Sequence, residues 1–178
     1  MKRYLLAPGP TPIPPEVMAA MSAPIIHHRT PRFSTLLAQV EHDLQDLFQT
    51  NQDVVILAAS GTGGMEAVVT NLLSPGDEAI VVNAGKFGDR WANICAAYGI
   101  VTHEIAVEWG EPVETPAVLG ALDGDPAARV LLMQATETST TVLHPVVKIA
   151  ALMRERDTLF VVDGITAVGV VDIAMDRW

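Results

Sequence analysis

A glycine-rich stretch at residues 60–66 (SGTGGME) has the residue types that can bind a phosphate group. Glycines let the backbone approach a ligand closely, and a helix that begins here offers free N–H groups and the positive end of its dipole. Thr62 adds a hydroxyl group. The stretch lacks the Lys-Ser/Thr pair of a Walker loop, and its glycine spacing differs from the dinucleotide fingerprint. It therefore predicts either a site for one phosphate monoester or a tight strand-to-helix turn that binds nothing.

Asp163 is a second candidate, because it directly follows the apolar residues 160–162 (FVV) at the end of a predicted buried strand. A carboxylate in that place costs free energy unless a cation or hydrogen-bond donors face it. It could pair with a protonated pyridine nitrogen, bind a metal ion or cap the following turn. These three interpretations stay open on the residue alone.

Two further candidate stretches also follow predicted strands. Residues 134–141 (QATETSTT) carry five hydroxyl side chains, which can line a polar pocket or form a solvated loop before a helix. Phe87 lies between Gly85 and Gly88, where its ring could stack on a flat ligand or cover the core. Lys86 is the one lysine near these positions, and nothing in its surroundings indicates desolvation.

The histidines and the cysteine do not predict a metal or nucleophile site. The five histidines and Cys95 lack metal-ligand spacing, and the adjacent His27 and His28 would point to opposite sides of a strand. Cys95 falls in an apolar helical pattern, which indicates a core residue rather than a nucleophile. We therefore expect no metal in the site.

The elements that must position these residues alternate along the chain. Apolar runs predict strands, and apolar residues at helical spacing predict helices between them. The predicted strands are 54–57, 79–82, 101–107, 130–133 and 159–162, and the predicted helices are 33–49, 64–73, 88–98, 115–122 and 145–156. Such alternation is typical of an α/β fold with a mostly parallel, mixed sheet and helices on both faces.

Each of the four candidate stretches follows a predicted strand, so a parallel sheet would bring them to one edge. Open α/β sheets bind ligands beyond the carboxyl ends of their strands. That edge would then carry a phosphate site, an aromatic ring, hydroxyl groups and a carboxylate. Together these groups suit a flat, phosphorylated, pyridine-like molecule. Pyridoxal 5'-phosphate has these features, and we expect it as the cofactor.

The composition restricts the partners of such a site. With 49% hydrophobic and 18% charged residues, the sequence is typical of a globular protein, and it has no apolar run long enough to span a membrane. A net charge of −10 disfavours binding to nucleic-acid phosphates. One cysteine fits a reducing compartment, and Pro8 follows the start too closely for a secretory signal. We expect a cytoplasmic protein without nucleic-acid or membrane partners.

Six motifs in a fixed order make the sequence similar to a known family. They are PGPTPIP at 8–14, HRTP at 28–31, SGTGGME at 60–66, SPGD at 74–77, ETST at 137–140 and VDG at 162–164. From Leu6 to Trp178 the chain resembles the class V aminotransferases of fold type I, in the branch of the alanine–glyoxylate and serine–glyoxylate enzymes. The resemblance implies the large domain of that fold, pyridoxal 5'-phosphate as cofactor and a homodimer.

The resemblance also implies roles for matched residues. It places Thr62, Gly63 and Gly64 at the cofactor phosphate, Phe87 on the ring face, Thr138 and Ser139 near the ring, Asp163 at the pyridinium nitrogen, and Gly9 near the substrate carboxylate. In that role Asp163 keeps the nitrogen protonated, so that the ring can accept electrons from the amino-acid Cα. The implied reaction moves an amino group from a small amino acid, of the alanine or serine type, to an oxoacid such as glyoxylate or pyruvate.

The resemblance divides the chain into two parts and leaves two alternatives open. Residues 1–32 would form an amino-terminal arm and dimer-contact segment, and residues 33–178 a partial cofactor-binding large domain without its last strands and its small carboxyl-terminal domain. One alternative is a class V lyase such as a cysteine desulfurase, although such relatives tend to carry histidine in place of Phe87. The other is a non-catalytic binding or interaction module with the same fold.

One residue that the resemblance leads us to expect is missing from the chain. The family's Schiff-base lysine follows the matched aspartate in a Ser-x-x-Lys context, farther along than this chain extends. The three lysines present, Lys2, Lys86 and Lys148, stand in other contexts. We expect the chain to be a truncated, amino-terminal fragment that is inactive on its own, although the intact parent would be an aminotransferase.

Borohydride reduction tests the expectation that the lysine is missing. After incubation with pyridoxal 5'-phosphate and reduction, we expect no stoichiometric label on any one lysine, because none stands in the Schiff-base context. Intact-mass and peptide mass spectrometry measure the label. One equivalent fixed on Lys86 or on Lys148 would contradict this expectation.

Overall fold

The structure is a computed structural model that describes residues 5–178. Its backbone divides into two units, and the chain passes from one to the other between Val55 and Ile56. The segments 1–32 and 33–178 implied by the resemblance refer to parts of a longer protein and stay a prediction. Among the residues described, no helix combines the length and the apolar character needed to cross a membrane.

The amino-terminal unit contains two helices. Helix α1 spans Pro15–Met21, and helix α2 spans Pro31–Phe48. The second helix begins after Thr30, whose Oγ1 accepts a hydrogen bond from the Phe33 N–H at 3.3 Å. The helix predicted at 33–49 is confirmed with a slightly earlier start. The sequence did not predict α1, because seven residues are too few to show a helical spacing of apolar residues.

The second unit is built on a parallel sheet. Its four strands are β1 (Glu78–Asn83), β2 (Val101–Ala106), β3 (Ala128–Gln134) and β6 (Leu159–Asp163). Between β3 and β6, the chain forms a separate, short antiparallel pair, β4 (Thr136–Glu137) and β5 (Val142–Leu143). The strand order in the sheet is β2–β1–β3–β6. Every neighbouring pair in this sheet is parallel, so the carboxyl ends of its strands lie at one edge.

Helices cover both faces of this sheet. They are α3 (Gly61–Leu72), α4 (Lys86–Ala97), α5 (Thr115–Gly124) and α6 (Val146–Met153), with a 3-10 turn at Met175–Arg177. The side chains of β3 alternate between two cores: Val130 and Leu132 pack with α3 and α4, whereas Leu131 and Met133 pack with α5 and α6. The predicted α/β fold, with a mostly parallel sheet between two layers of helices, is confirmed.

Four of the five predicted strands are confirmed, and the strand predicted at 54–57 is wrong. This stretch forms neither helix nor strand, and Val55, Ile56 and Leu57 expose 77%, 51% and 50% of their surface. None of the strands in residues 5–178 pairs with it. A strand exists only through hydrogen bonds to a neighbouring strand, and local apolar composition cannot supply that neighbour.

Two helices of the second unit also begin earlier than predicted. Helix α3 begins at Gly61 rather than at residue 64, and α4 begins at Lys86 rather than at residue 88. Glycine has low helix propensity, so it hides the first turn from a pattern-based prediction. The early start of α4 places its first N–H groups close to the end of β1.

Cys95 is fully buried in the core between the sheet and helices α3 and α4. Burial raises the pKa of its thiol to about 11, although a backbone hydrogen bond lowers it slightly. A thiol in that state is rarely ionised near neutral pH and therefore a poor nucleophile. The prediction that Cys95 is a core residue is confirmed.

Leu131→Ala tests the central place of β3 in the core. Leu131 is fully buried, so truncation should leave a cavity and lower the free energy of unfolding by about 2–5 kcal/mol. Denaturant unfolding followed by circular dichroism measures the change. The matched control is Leu159→Ala, at a side chain that is 50% exposed, which should cost less than about 1 kcal/mol. Equal losses in the two variants would contradict this description of the core.

Candidate functional site

The carboxyl edge of the sheet brings together the stretches singled out in the sequence. The loop after β1 contacts the loop after β3, since Ser139 Oγ accepts a hydrogen bond from the Lys86 N–H at 3.1 Å. Helices α3 and α4 are linked by Arg90, which donates from Nη1 to Thr62 Oγ1 at 3.0 Å. Asp163 ends β6, the strand next to β3. The parallel sheet therefore places these groups at one edge, as expected.

The first turn of α3 leaves its N–H groups free. Its first intrahelical hydrogen bond joins the Gly64 N–H to the Ser60 carbonyl at 3.2 Å, and the Ser60 side chain does not cap the helix. Within the described part of the chain, no acceptor is in place for the N–H groups of Gly61, Thr62 and Gly63. Free N–H groups at the positive end of a helix dipole can bind an anion.

Arg90 adds a positive charge beside this helix start. Besides its bond to Thr62, its guanidinium carbon lies 5.0 Å from the centre of the Phe87 ring. Arg90 was missed in the sequence analysis, because its position relative to Phe87 depends on where α4 begins. The sequence contained one signal: Phe87 and Arg90 are three residues apart, so both side chains lie on one face of a helix that starts at Lys86.

The first turn of α4, in contrast, is closed by the loop after β3. Ser139 Oγ accepts from the Lys86 N–H at 3.1 Å, and Glu137 Oε2 accepts from the N–H groups of Phe87 and Gly88, both at 3.2 Å. Glu137 is fully buried. The sequence analysis included Glu137 in a motif but gave it no role, although an acid next to a buried strand needs donors and so indicated one.

Thr138 and Ser139 use their hydroxyl groups within the protein. Ser139 Oγ donates to Glu137 Oε1 at 2.6 Å, and Thr138 Oγ1 lies 3.1 Å from Thr166 Oγ1. Since the Ser139 proton is directed to Glu137, this hydroxyl can only accept a hydrogen bond from a ligand. The contacts of Thr138 and Ser139 with a cofactor ring stay a prediction.

Asp163 has a desolvated carboxyl group. Its pKa is raised, mainly by burial and to a smaller extent by the charge of Glu137. A hydrogen bond from the Ile165 N–H to Oδ1 at 3.0 Å and the charge of Arg90 act in the opposite direction and lower the pKa, but they do not cancel the rise. One oxygen thus caps the following turn, as one interpretation of the sequence held. None of the ion pairs within residues 5–178 includes Asp163. A carboxylate in this state is stabilised when a cation approaches it.

A buried amide beside Asp163 also lacks partners. Gln134 pairs in register with Asp163 and is 1% exposed, yet neither its Oε1 nor its Nε2 has a hydrogen-bond partner among the described residues. The alternation along β3 places Gln134 on the sheet face of α3 and α4, where the buried Trp91 also leaves its indole N–H unpaired. Buried polar groups are nearly always paired, so Gln134 and Trp91 have unused hydrogen-bonding capacity in this region.

These donors and acceptors fit a phosphorylated pyridine. The open N–H groups of α3 suit the phosphate, and the desolvated carboxyl group of Asp163 suits a protonated ring nitrogen. The amide of Gln134, which has no partner among the described residues, adds a donor and an acceptor at this edge.

No lysine side chain in residues 5–178 is desolvated. Lys86 is exposed, and its Nζ lies 5.4 Å from the centre of the Trp109 ring. Lys148 is exposed on α6, and Lys2 lies outside the described residues. Gly9 belongs to the amino-terminal unit, so its role near a substrate carboxylate stays a prediction.

One histidine lies between two acids near the amino end of β1. His103 Nε2 lies 2.8 Å from Glu78 Oε2 and 3.1 Å from Asp125 Oδ2. The contact with Glu78 is a hydrogen bond, whereas Asp125 Oδ2 lies within ion-pair distance and has no hydrogen-bond partner among the described residues.

The class-V aminotransferase family model matches residues 3–178, and the chain belongs to this family. The chain is 38% identical over 180 aligned positions to the soluble hydrogenase small subunit of a Synechococcus species, covering 99% of this chain and 47% of that protein. It is 35% identical over 182 positions to L-aspartate–glyoxylate aminotransferase of Paracoccus denitrificans, covering 98% and 45%. The crystal structure of alanine–glyoxylate aminotransferase from Nostoc sp. is 33% identical with a TM-score of 0.93, covering 99% and 47%.

These matches confirm the resemblance to class V aminotransferases of fold type I. Family membership implies pyridoxal 5'-phosphate as the cofactor. The chain spans about half the length of the relatives that it matches.

Gly85→Ala tests the closure of α4. A Cβ at this position would lie 2.6 Å from Ser139 Oγ and 2.7 Å from two side-chain carbons of Glu137. Because Glu137 is buried and held by hydrogen bonds, we expect the free energy of unfolding to fall by about 1–3 kcal/mol in denaturant unfolding. Gly120→Ala in α5 is the control, since nothing lies within 4 Å of its added Cβ. A Gly85→Ala variant as stable as this control would show that the close contact is not required.

Proposed function

We propose that this chain forms the cofactor-binding part of a pyridoxal-phosphate-dependent aminotransferase. The reaction would transfer an amino group from a small amino acid, of the alanine or serine type, to an oxoacid such as glyoxylate or pyruvate. The relatives from Nostoc and Paracoccus are named as glyoxylate aminotransferases for alanine and aspartate. Their names support this class of reaction and favour glyoxylate as the acceptor.

The open first turn of α3 is the observation that carries this proposal. Backbone N–H groups can bind a phosphate without a lysine, so a chain of net charge −10 can still hold it. Thr62, Gly63 and Gly64 would hold the phosphate, and Arg90 would add positive charge. The Thr62 hydroxyl accepts from Arg90 and so keeps its proton for a ligand. Only glycine suits the middle position, where a Cβ would lie 2.7 Å from Ala59 Cβ.

The ring of the cofactor would lie among the groups that follow β1, β3 and β6. Phe87 would stack on its face, Thr138 and Ser139 would form hydrogen bonds near it, and Asp163 would pair with its protonated nitrogen. When bound, pyridoxal phosphate supplies an electron sink for the electrons released at the amino-acid Cα. Asp163 would preserve that capacity by holding a proton at the ring nitrogen, and its desolvated state supports this role.

The proposed reaction needs groups that this chain does not contain. Lys86 and Lys148 are exposed, so we propose that the Schiff-base lysine comes from the other half of a longer protein and that this chain is inactive alone. The same proposal includes a homodimer with contacts through residues 1–32 and a cytoplasmic location. It also places Gly9 near the substrate carboxylate. The reading frame after the codon for Trp178 separates an enzyme fragment from a non-catalytic module, because only the former continues into a Ser-x-x-Lys stretch.

Asp163→Asn tests the proposed partner of the ring nitrogen. Because the folded pKa of Asp163 is raised, the folded chain becomes more stable as the pH falls through that pKa, and the ionised carboxylate reduces stability at pH 7. We therefore expect Asp163→Asn to raise the melting temperature of the ligand-free chain at pH 7. It should also weaken binding of pyridoxamine 5'-phosphate, which cannot form a Schiff base with lysine, by about tenfold or more.

Thermal unfolding and titration calorimetry measure these two effects. Asp157→Asn is the matched control, since it removes the same charge at an exposed position and should change neither quantity. Unchanged binding to Asp163→Asn would show that the ring nitrogen lies elsewhere. Failure of the unaltered chain to bind pyridoxamine 5'-phosphate would contradict the cofactor site itself.

A further inference from the structure

We propose that Glu137 is a positioning residue whose buried carboxylate fixes the spacing between Phe87 and Ser139 and thereby the orientation of the cofactor ring. The part that concerns the ring rests on the function proposed above. The fixed spacing is a property of the ligand-free chain and can be tested without any cofactor.

The Glu137 carboxylate accepts four hydrogen bonds. Its Oε2 accepts from the N–H groups of Phe87 and Gly88, both at 3.2 Å, and its Oε1 accepts from Ser139 N–H at 3.0 Å and Ser139 Oγ at 2.6 Å. A carboxylate has about four lone-pair positions, so this one is fully used. Since no position remains for a substrate proton, Glu137 acts by holding other groups in place.

A carboxylate meets these four donors in a way that no neutral side chain can. Glu137 is fully buried, and none of the ion pairs of residues 5–178 includes it. Its charge is balanced by charge-assisted hydrogen bonds and by the positive dipole end of α4. Glutamine at this position would turn an NH₂ group toward two N–H donors or toward Ser139, and would leave buried donors unpaired.

The backbone around Glu137 is also fixed on both sides. Its carbonyl accepts from the N–H groups of Thr140 at 3.2 Å and Thr141 at 2.8 Å, and the residue pairs with Val142 across β4 and β5. At the other end of the contact, Gly85 allows the α4 start to approach, because a Cβ there would overlap the Glu137 side chain. The α4 start therefore cannot move relative to Ser139 without breaking the contacts of Glu137.

Glu137 thereby links Phe87 and Ser139, the two residues that would contact the cofactor ring. Phe87, the proposed stacking residue, is held through its own backbone N–H, and Ser139 is held through both its backbone and its hydroxyl group. The two residues come from loops after different strands, and Glu137 is the side chain that bonds to both.

Residue-resolved hydrogen exchange tests the fixed spacing in the ligand-free chain. A glutamine amide has one oxygen instead of two, so it can accept either from Phe87 and Gly88 or from Ser139. In Glu137→Gln we therefore expect exchange to become about tenfold faster or more either at the amides of Phe87 and Gly88 or at the amide of Ser139, whichever lose their acceptor. The amide of Val81 in β1 reports global opening and should change less. Glu155→Gln, the same change at an exposed position, should alter none of these amides.

Two further variants keep this test decisive. Glu137→Asp retains the charge and should restore part of the protection that Glu137→Gln removes. If Glu137→Gln does not fold, Ser139→Ala removes one partner of the carboxylate and should speed exchange at Lys86, whose N–H loses its acceptor. Unchanged exchange at Phe87, Gly88 and Ser139 in folded Glu137→Gln, or at Lys86 in Ser139→Ala, would overturn the inference.

Pyridoxamine 5'-phosphate then tests the orientation of the ring. We expect Glu137→Gln to bind it about tenfold more weakly and, at saturation, to give a smaller induced circular dichroism per bound ring, which a mere loss of stability would not change. Glu155→Gln should match the unaltered chain in both. Equal induced signals in Glu137→Gln and the unaltered chain would overturn the ring part of the inference. Absence of binding in the unaltered chain would overturn the proposed function, while the exchange data would still decide whether Glu137 fixes Phe87 and Ser139.

Discussion

Helix N-termini at the carboxyl edge of a parallel sheet carry N–H groups that need acceptors, and this requirement organises the whole candidate site. Helix α4 meets it with Glu137 and Ser139, which reach it from a loop about 50 residues away in sequence. Helix α3 has no such partners in the described residues, so its first N–H groups remain available. Two glycine-rich helix starts thus differ in one respect: the N–H groups of one have acceptors within the protein, and those of the other remain open.

The same edge contains two acids whose surroundings give them opposite properties. Glu137 accepts four hydrogen bonds within the protein and has no remaining capacity. Asp163 receives one, from Ile165, and burial raises its pKa more than this hydrogen bond and the charge of Arg90 lower it. Because its folded pKa is raised, the ionised carboxylate of Asp163 lowers the stability of the folded chain. Arg90 reduces this cost through its charge and also lies beside the open helix start.

Much of this arrangement could be predicted from the sequence, because buried parallel strands are continuous apolar runs and their carboxyl ends share one edge. That reasoning predicted from the sequence alone that Thr62, Phe87, Ser139 and Asp163 lie at one edge of the sheet. It failed at residues 54–57, where an apolar run has no neighbouring strand to pair with. Arg90 and Glu137 were missed for a different reason. Their roles depend on the residue at which α4 begins and on a contact between distant loops, and neither is encoded in local periodicity.

The most direct measurement is a titration of the chain with pyridoxamine 5'-phosphate, followed by amide nuclear magnetic resonance at single residues. The open start of α3 and the carboxyl group of Asp163 should respond together, so the amides of Thr62, Gly63 and Gly64 should shift with the same dissociation constant as the amide of Ile165. Saturable binding that leaves the amides of Thr62, Gly63 and Gly64 unchanged would contradict this assignment of the phosphate site.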